Sequence, residues 1–231
     1  MTIDRIHQEI KFRYNRLNSN HKKDFSKGYL DDAINKVQDD FVEMIYSGNV
    51  PPQYRFGFEI NQQKTDMLLP FVKTIDIVPT LVQNNLYKVS ISAIPKYRHF
   101  LRGITDPCQS NIDIIRLNDL DVKLKNDNTK PSSKWKRVLG VFKDNYLWLY
   151  TGQPITNVSI DYLCSPKPVF SGGYNTLEYD KGDLTAYNSV SPLQTSDINP
   201  SFHDILVDMV VQYLAFVVEG QTTENILINK L

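Results

Sequence analysis

The longest apolar pattern in the chain covers residues 200–218, where apolar positions recur at helical spacing. They form two stripes: Phe202, Ile205, Leu206, Met209, Val210, Tyr213, Leu214 and Val217 in one, and Val207, Val211, Ala215 and Val218 in the other. Ser201 is placed to cap the first turn, and Asp204 lies where the helix dipole favours an acid. A helix that is apolar on most sides must be covered on most sides, so we expect it to be buried between layers or to contact a second subunit.

A membrane span is the alternative interpretation of the same run. A span requires about 20 predominantly apolar residues, and Asp208 and Gln212 interrupt this one. The first residues also lack the apolar segment of a secretory signal. We therefore expect a soluble protein, made and used in the cytosol or in particles assembled there, with no membrane contact.

Two further helical patterns lie in the first 47 residues. Residues 2–17 carry the first, with apolar positions Ile3, Ile6, Ile10, Tyr14 and Leu17. The second begins after Gly28 and ends at Ser47, Gly48 and Asn49; its apolar positions are Leu30, Ala33, Ile34, Val37, Phe41, Met44 and Ile45. We expect these helices to form an antiparallel pair over residues 2–47.

From residue 54 to residue 170 the apolar period shortens to that of strands. The candidate strands are residues 71–78, 86–94, 112–117, 121–125, 138–142, 146–150 and 158–164. Such short strands predict an antiparallel meander, either a sandwich or a barrel-like sheet. Residues 171–199 are polar and predict a long loop or arm, residues 200–218 the buried C-terminal helix, and residues 219–231 a tail. The chain is thus predicted to be α+β, in a single domain over residues 1–231.

Charge and chemistry narrow the range of functions. The 26 basic residues equal the 26 acidic ones, which disfavours a general nucleic-acid binder. Four histidines fall in four different elements without metal-ligand spacing, and the two cysteines, Cys108 and Cys164, are expected to be free thiols. No nucleophile or phosphate-binding motif occurs. We expect no catalytic residue, no metal and no cofactor, hence no enzyme.

Two clusters combine basic and aromatic side chains. Lys96, Arg98 and Arg102 surround one group of aromatics, and Lys134, Lys136 and Arg137 flank Trp135. This combination grips single strands through phosphate contacts and base stacking. An ordinary solvated surface or a subunit-facing surface produces the same pattern. The second cluster is kept as a candidate DNA contact.

Residues 130–169 carry a resemblance to a known group of proteins. They read K-P-S-S-K-W-K-R-V-L-G, then N-Y-L-W-L-Y-T-G, then I-T-N-V-S-I-D-Y-L-C-S-P-K-P-V. This order resembles virion proteins of the crAss-like tailed phages that infect Bacteroides-type hosts. The segment L-D-D-A-I-N-K-V-Q-D-D-F-V resembles their amino-terminal helix, and F-H-D-I-L-V-D-M-V-V-Q-Y-L resembles the helix that ends their neck ring subunits.

The resemblance implies a head-to-tail connector, similar to podovirus head-completion adaptors, that is assembled in the host cytoplasm and built into the virion. Such subunits form closed rings, typically twelve-fold, that contact the portal and an adjacent ring or tail protein. Double-stranded DNA passes through the ring and is bound only weakly and without specificity.

A ring closed by rotation needs two different contact faces on each subunit. For the subunit interface we select apolar residues of the final helix: Phe202, Ile205, Met209, Tyr213, Val207 and Val211. Trp135 and Tyr174 are candidate docking residues on loops, because aromatics are frequent anchors of interfaces. The rival hypotheses are another tail or capsid-associated structural protein and, further off, an enzyme or DNA-processing factor.

Overall fold

The computed structural model of the chain describes residues 2–17, 24–48, 66–171 and 196–228, with side chains as far as residue 218. Its helices are α1 (Ile3–Leu17), α2 (Lys27–Ser47), α3 (Leu120–Lys125) and α4 (His203–Ile228). Its strands are β1 (Val72–Ile77), β2 (Thr80–Gln83), β3 (Leu86–Ser90), β4 (Tyr97–Asp106), β5 (Ser110–Ile114), β6 (Arg137–Lys143), β7 (Tyr146–Tyr150) and β8 (Asn157–Cys164). The α+β class predicted from the sequence is confirmed.

The chain divides into two compact units. The helical unit comprises Met1–Pro70 and Pro166–Leu231, and the sheet unit comprises Phe71–Ser165. The helical unit therefore joins distant parts of the sequence, while the sheet unit is one continuous segment.

In the helical unit, α1 and α2 both pack against α4. Their buried apolar residues include Ile3, Ile6, Ile10 and Tyr14 from α1, Leu30, Ile34, Val37, Phe41 and Ile45 from α2, and Leu206, Val207, Val210 and Leu214 from α4. All of these positions fit the helical periods of the sequence. The central core of this unit is therefore the place where the apolar faces of α1 and α2 meet the largely apolar α4.

The ends of α2 follow ordinary capping chemistry. The Ser26 hydroxyl accepts a hydrogen bond from the Tyr29 amide at 3.3 Å, and Gly48 adopts a left-handed conformation with φ of 78°. The Gly48 amide donates to the Ile45 carbonyl at 3.2 Å, so the last turn is closed by a residue that tolerates positive φ.

Helix α4 differs from the sequence prediction at both ends. A single 3₁₀ turn, Pro200–Phe202, precedes it, and Asn199 caps that turn by accepting from the Ser201 amide at 3.0 Å. The cap is thus Asn199 and not Ser201. At the other end the helix continues to Ile228, so most of the predicted tail is helical.

The sheet unit contains one curled eight-stranded sheet with the order β1-β8-β4-β5-β6-β7-β3-β2. All neighbouring strands are antiparallel except β5 and β6, which are parallel. The sheet is therefore mixed, and its strand order departs from the simple antiparallel meander that was predicted. One face carries the apolar core: Tyr87, Val89, Ile94, Ile112, Val138, Leu147, Leu149, Ile155, Val158, Ile160 and Tyr162.

Two local predictions in this unit were wrong, and two strands were missed. Residues 121–125 form helix α3 and not a strand, and β3 ends at Ser90, after which Ile91–Ala93 make a 3₁₀ turn. Strands β2 and β4 were not predicted. All four residues of β2 are exposed, so its sequence carries no alternation to detect.

Candidate interaction surfaces

One side of α4 belongs to the interior of the helical unit. Val207 and Val211 are buried there, as is Ile205. We had selected these three residues for a subunit interface, but within one copy of the chain they already contact their own core. Folding of a single copy already removes their apolar surface from water, so these side chains have almost no exposed area left to bury against a second subunit.

A neighbouring face of α4, next to the buried Ile205, keeps apolar surface exposed. Phe202, Met209 and Tyr213 are half-buried, and Phe216 is 78 % exposed. These four residues, spaced by seven, four and three positions, lie on one helical face, and we call them the α4 stripe. Phe216 was not predicted from the sequence, although its spacing of three from Tyr213 and seven from Met209 places it on this face.

An ion-pair group joins α1 to α4. The Arg13 guanidinium donates to Asp208 Oδ1 at 2.6 Å and to Asp204 Oδ1 at 2.8 Å. On α1 itself, Glu9 Oε2 lies 3.7 Å from Arg13 Nε. Since these groups are partly exposed, the pairs fix the orientation of the two helices more than they stabilise the fold.

Three polar residues of α2 lie one turn apart, and we call them the α2 clamp: Asp31, Asn35 and Gln38. Asp31 is 1 % exposed, and both of its carboxylate oxygens have partners. Oδ1 lies 2.8 Å from His7 Nε2 on α1, and Oδ2 accepts from the Ser171 amide at 2.8 Å. A buried carboxylate is tolerated because both oxygens are satisfied in this way.

The other two members of the clamp bind backbone and hydroxyl groups. The side-chain Nδ2 of Asn35 donates to the Val169 carbonyl at 3.1 Å, and its Oδ1 accepts from the backbone amide of Val169 at 2.5 Å. Gln38 Oε1 accepts from the Ser196 hydroxyl at 2.5 Å. The clamp therefore fixes both flanks of residues 172–195 to one helix. Those residues, with the docking candidate Tyr174, lie outside the described part of the chain.

His203, the first residue of α4, is held in the interior by a backbone contact. It is buried, and its Nε2 donates to the Ile198 carbonyl at 2.9 Å. Burial lowers the pKa of His203, and the Ile198 hydrogen bond opposes this only in part. Neutral His203 therefore holds the segment that enters α4. In the described ranges no group of three or more potential ligands could hold a metal ion, and Cys108 and Cys164 are free.

The predicted docking residue Trp135 lies in the turn before β6 together with Lys134 and Lys136, and the third DNA-contact candidate, Arg137, is the first residue of that strand. Trp135 is 68 % exposed, and the Lys134 ammonium lies 5.4 Å from its ring centroid. Lys136 is exposed as well, whereas Arg137 is 3.1 Å from Asp113. Arg137 is therefore engaged within the sheet unit, and Lys134, Trp135 and Lys136 form the accessible part of this cluster.

Within the described ranges, one helical run qualifies by length and composition as a possible membrane crossing. It is Pro200–Val218, with a mean hydropathy of 1.5 over its most apolar window. One third of that window is buried inside the chain. The run comprises the 3₁₀ turn and the first part of α4, and it contains all four residues of the α4 stripe.

A scan against protein-family models found no matching family. A search of the curated proteins also found no match.

Proposed function

We propose that this chain is a structural virion protein: a subunit of a neck ring that joins the portal to the tail and continues the DNA channel. The proposal starts from the resemblance to crAss-like neck proteins. The resembling segments cover the whole of β7 and β8, the middle of α2 and the first half of α4. The function is mechanical, and the residues that serve it are those that contact neighbouring subunits.

The α4 stripe is the observation that carries the proposal. Helix α4 packs one side against the core of its own unit. Together with the 3₁₀ turn before it, α4 still presents four large apolar residues on another side, including the exposed ring of Phe216. An exposed aromatic in such a row is a typical anchor of a protein interface. We assign the stripe to the contact with the next subunit, and it replaces the buried set of Ile205, Val207 and Val211.

A rotational ring requires a second face that differs from the first. Phe12 on α1 is 65 % exposed and belongs to the same helical unit. We assign the exposed side of α1 to this second face. A stripe on α4 and a separate site on α1 make a head-to-tail contact, which closes into a ring when the rotation per subunit divides a full turn.

The charge of the chain suits a channel through which DNA must move. Lysines and arginines balance the acids at 26 each. Binding to DNA grows with the number of phosphates neutralised, and a strongly basic channel would hold the genome back. The exposed Lys134 and Lys136 provide at most a few such contacts per subunit.

The test is assembly of the purified chain, followed by light scattering after size exclusion and by negative-stain imaging. We expect annular particles whose formation rises with concentration. Phe216→Asp should raise the concentration needed by at least ~30-fold, because loss of a central anchor costs about 2 kcal/mol or more per contact. The fold should survive, since Phe216 is exposed.

Val122→Asp is the matched control, because Val122 is also an exposed apolar residue but lies on α3 in the sheet unit. It should assemble like the parent chain. Equal loss of assembly in both variants would contradict the assignment of the α4 stripe. Discrete particles without a central hole would instead favour another structural component of the virion, and a monomer at every concentration would contradict self-assembly.

A further inference from the structure

The face of the sheet opposite the apolar core carries a row of aromatic residues on β7. Tyr146, Trp148 and Tyr150 alternate with the core residues Leu147 and Leu149, so all three point to the other face. Each is half-buried, with part of its surface left in contact with solvent. Solvent-facing positions of an antiparallel strand are usually polar, and here three consecutive ones are aromatic.

The neighbouring strands place lysines beside one end of this row. Lys88 of β3 is the cross-strand partner of Trp148, and its ammonium lies 4.9 Å from the Tyr146 ring centroid. Lys143 of β6 is the cross-strand partner of Tyr146 on the other side. Lys143 has the carboxylate of Asp144 at 3.8 Å, while Lys88 has no acidic partner among the described residues.

The two ends of the row differ. The indole of Trp148 is held in place because its Nε1 donates to the Lys143 carbonyl at 3.2 Å. At the far end, burial and the charge of Asp121 raise the pKa of Tyr150, so that end of the row faces an acid. The end with Tyr146 and Trp148 is consequently the one that combines half-buried rings with positive charge.

We propose that Tyr146 and Trp148, with Lys88 and Lys143, form a stacking platform for single-stranded nucleic acid. Bases of any sequence can stack on an aromatic side chain, and lysines beside the rings contact the phosphates. Residues two apart on a strand are separated by about 7 Å, which leaves room for about two bases at the duplex spacing of about 3.4 Å. A duplex keeps its base faces stacked inside, so the platform favours single strands.

This inference is independent of the neck-ring proposal and arises from a different unit of the chain. It also differs from the basic cluster around Trp135, which lies in the turn before β6. A chain that fails to form rings could still bind single strands, and a ring subunit could lack the platform.

The test uses the fact that the chain has only two tryptophans, Trp135 and Trp148. In the Trp135→Phe variant, all indole fluorescence comes from Trp148. Addition of a 20-nucleotide oligothymidine in 50 mM salt should change this fluorescence in a saturable way. A 20-base-pair duplex should bind at least tenfold more weakly.

Tyr146→Ala in the same background should weaken binding by about 5- to 150-fold, the range expected for loss of one base–aromatic stack. Lys88→Gln should weaken binding of every sequence alike and reduce the salt dependence by about one phosphate contact. Tyr46→Ala, at an exposed tyrosine of α2, is the control and should leave affinity unchanged. Circular dichroism of each variant verifies that it is folded.

Three results would overturn the platform. The first is no change in Trp148 fluorescence with the oligothymidine at any concentration tested. The second is equal affinity for duplex and single strand, which would mean phosphate contacts alone. The third is parental affinity in a folded Tyr146→Ala protein; if that variant does not fold, parental affinity and salt dependence in Lys88→Gln count in the same way.

Discussion

In the sheet unit, backbone amides and carbonyls join each strand to the next, and the main cluster of buried side chains is apolar. In the helical unit, a buried carboxylate, a carboxamide pair and a histidine join elements that lie far apart in the sequence. Asp31 reaches Ser171, Asn35 reaches Val169, and Gln38 reaches Ser196. The two units thus fix the positions of their elements with different chemical groups.

The difference follows from where backbone hydrogen bonds are made. Strands satisfy their amides and carbonyls with a neighbouring strand, so pairing itself sets the register. Helices satisfy theirs internally, and apolar packing alone leaves the rotation and translation of each helix less defined. The α2 clamp supplies the missing directional contacts, and its removal should cost more than removal of any polar side chain inside the sheet.

The largest effect is expected from Asp31→Ala. It leaves His7 Nε2 and the Ser171 amide without their shared partner in a buried site, at a cost of about 1–3 kcal/mol in the free energy of unfolding for each of these two groups. Urea denaturation measures this cost. Asp32→Ala changes the neighbouring exposed carboxylate and should fall within about 0.5 kcal/mol of the parent.

Thr105→Val is the corresponding change in the sheet unit. Thr105 is buried, yet its hydroxyl makes only a long 3.4 Å hydrogen bond to the Ser110 carbonyl. The expected loss is about 1 kcal/mol or less. Equal losses for Asp31→Ala and Thr105→Val would remove the distinction between the two units.

An intermediate effect is expected from Asn35→Ala. The variant loses two hydrogen bonds to Val169 and leaves the backbone amide and carbonyl of Val169 without these partners, which should cost about 1–3 kcal/mol in the free energy of unfolding. Hydrogen exchange at the Val169 amide should speed up accordingly. Lys36→Ala, at the adjacent exposed position, serves as the control; an Asn35 variant as stable and as protected as this control would show that the clamp is dispensable.

The smallest effect concerns pH and His203. Burial lowers the pKa of His203 in the folded protein, so between that pKa and the usual value near 6.5 the unfolded chain binds more protons. The stability contributed by neutral His203 is therefore complete above pH 6.5 and is lost as the pH falls below it.

His203→Gln, which can still donate to the Ile198 carbonyl, should flatten the decline in free energy of unfolding between pH 7 and pH 5. Urea denaturation across this range compares the two slopes. Identical slopes in parent and variant would mean that other groups cause the decline.

The two units also differ in how much of them the sequence could predict. Helices α1, α2 and α4 and strands β1, β3 and β5 to β8 were found because their apolar residues repeat regularly. Strand β4 was missed because two bulges, between Tyr97 and His99 and between Phe100 and Arg102, disturb its alternation. Residues 121–125 alternate briefly like a strand, but local hydrogen bonds close them into α3.

The candidate sites were less predictable than the elements. Apolar periodicity showed that α4 is apolar on most sides, but it could not tell which side the rest of the chain would bury. That depends on α1 and α2, which lie near the opposite end of the sequence. The α2 clamp is invisible in the sequence for a similar reason, since Asn35 and Val169 are 134 positions apart. Spacing alone could have predicted that Phe216 belongs to the α4 stripe and that Tyr146, Trp148 and Tyr150 share one face of β7.

The central claim is the place of this chain in a virion neck, and labelling it within assembled particles tests that claim most directly. The measurement is electron microscopy of intact particles carrying an antibody or gold label specific for this chain. The account predicts label at the single vertex where portal and tail meet. Label spread over the capsid surface, or confined to the distal tail, would contradict it.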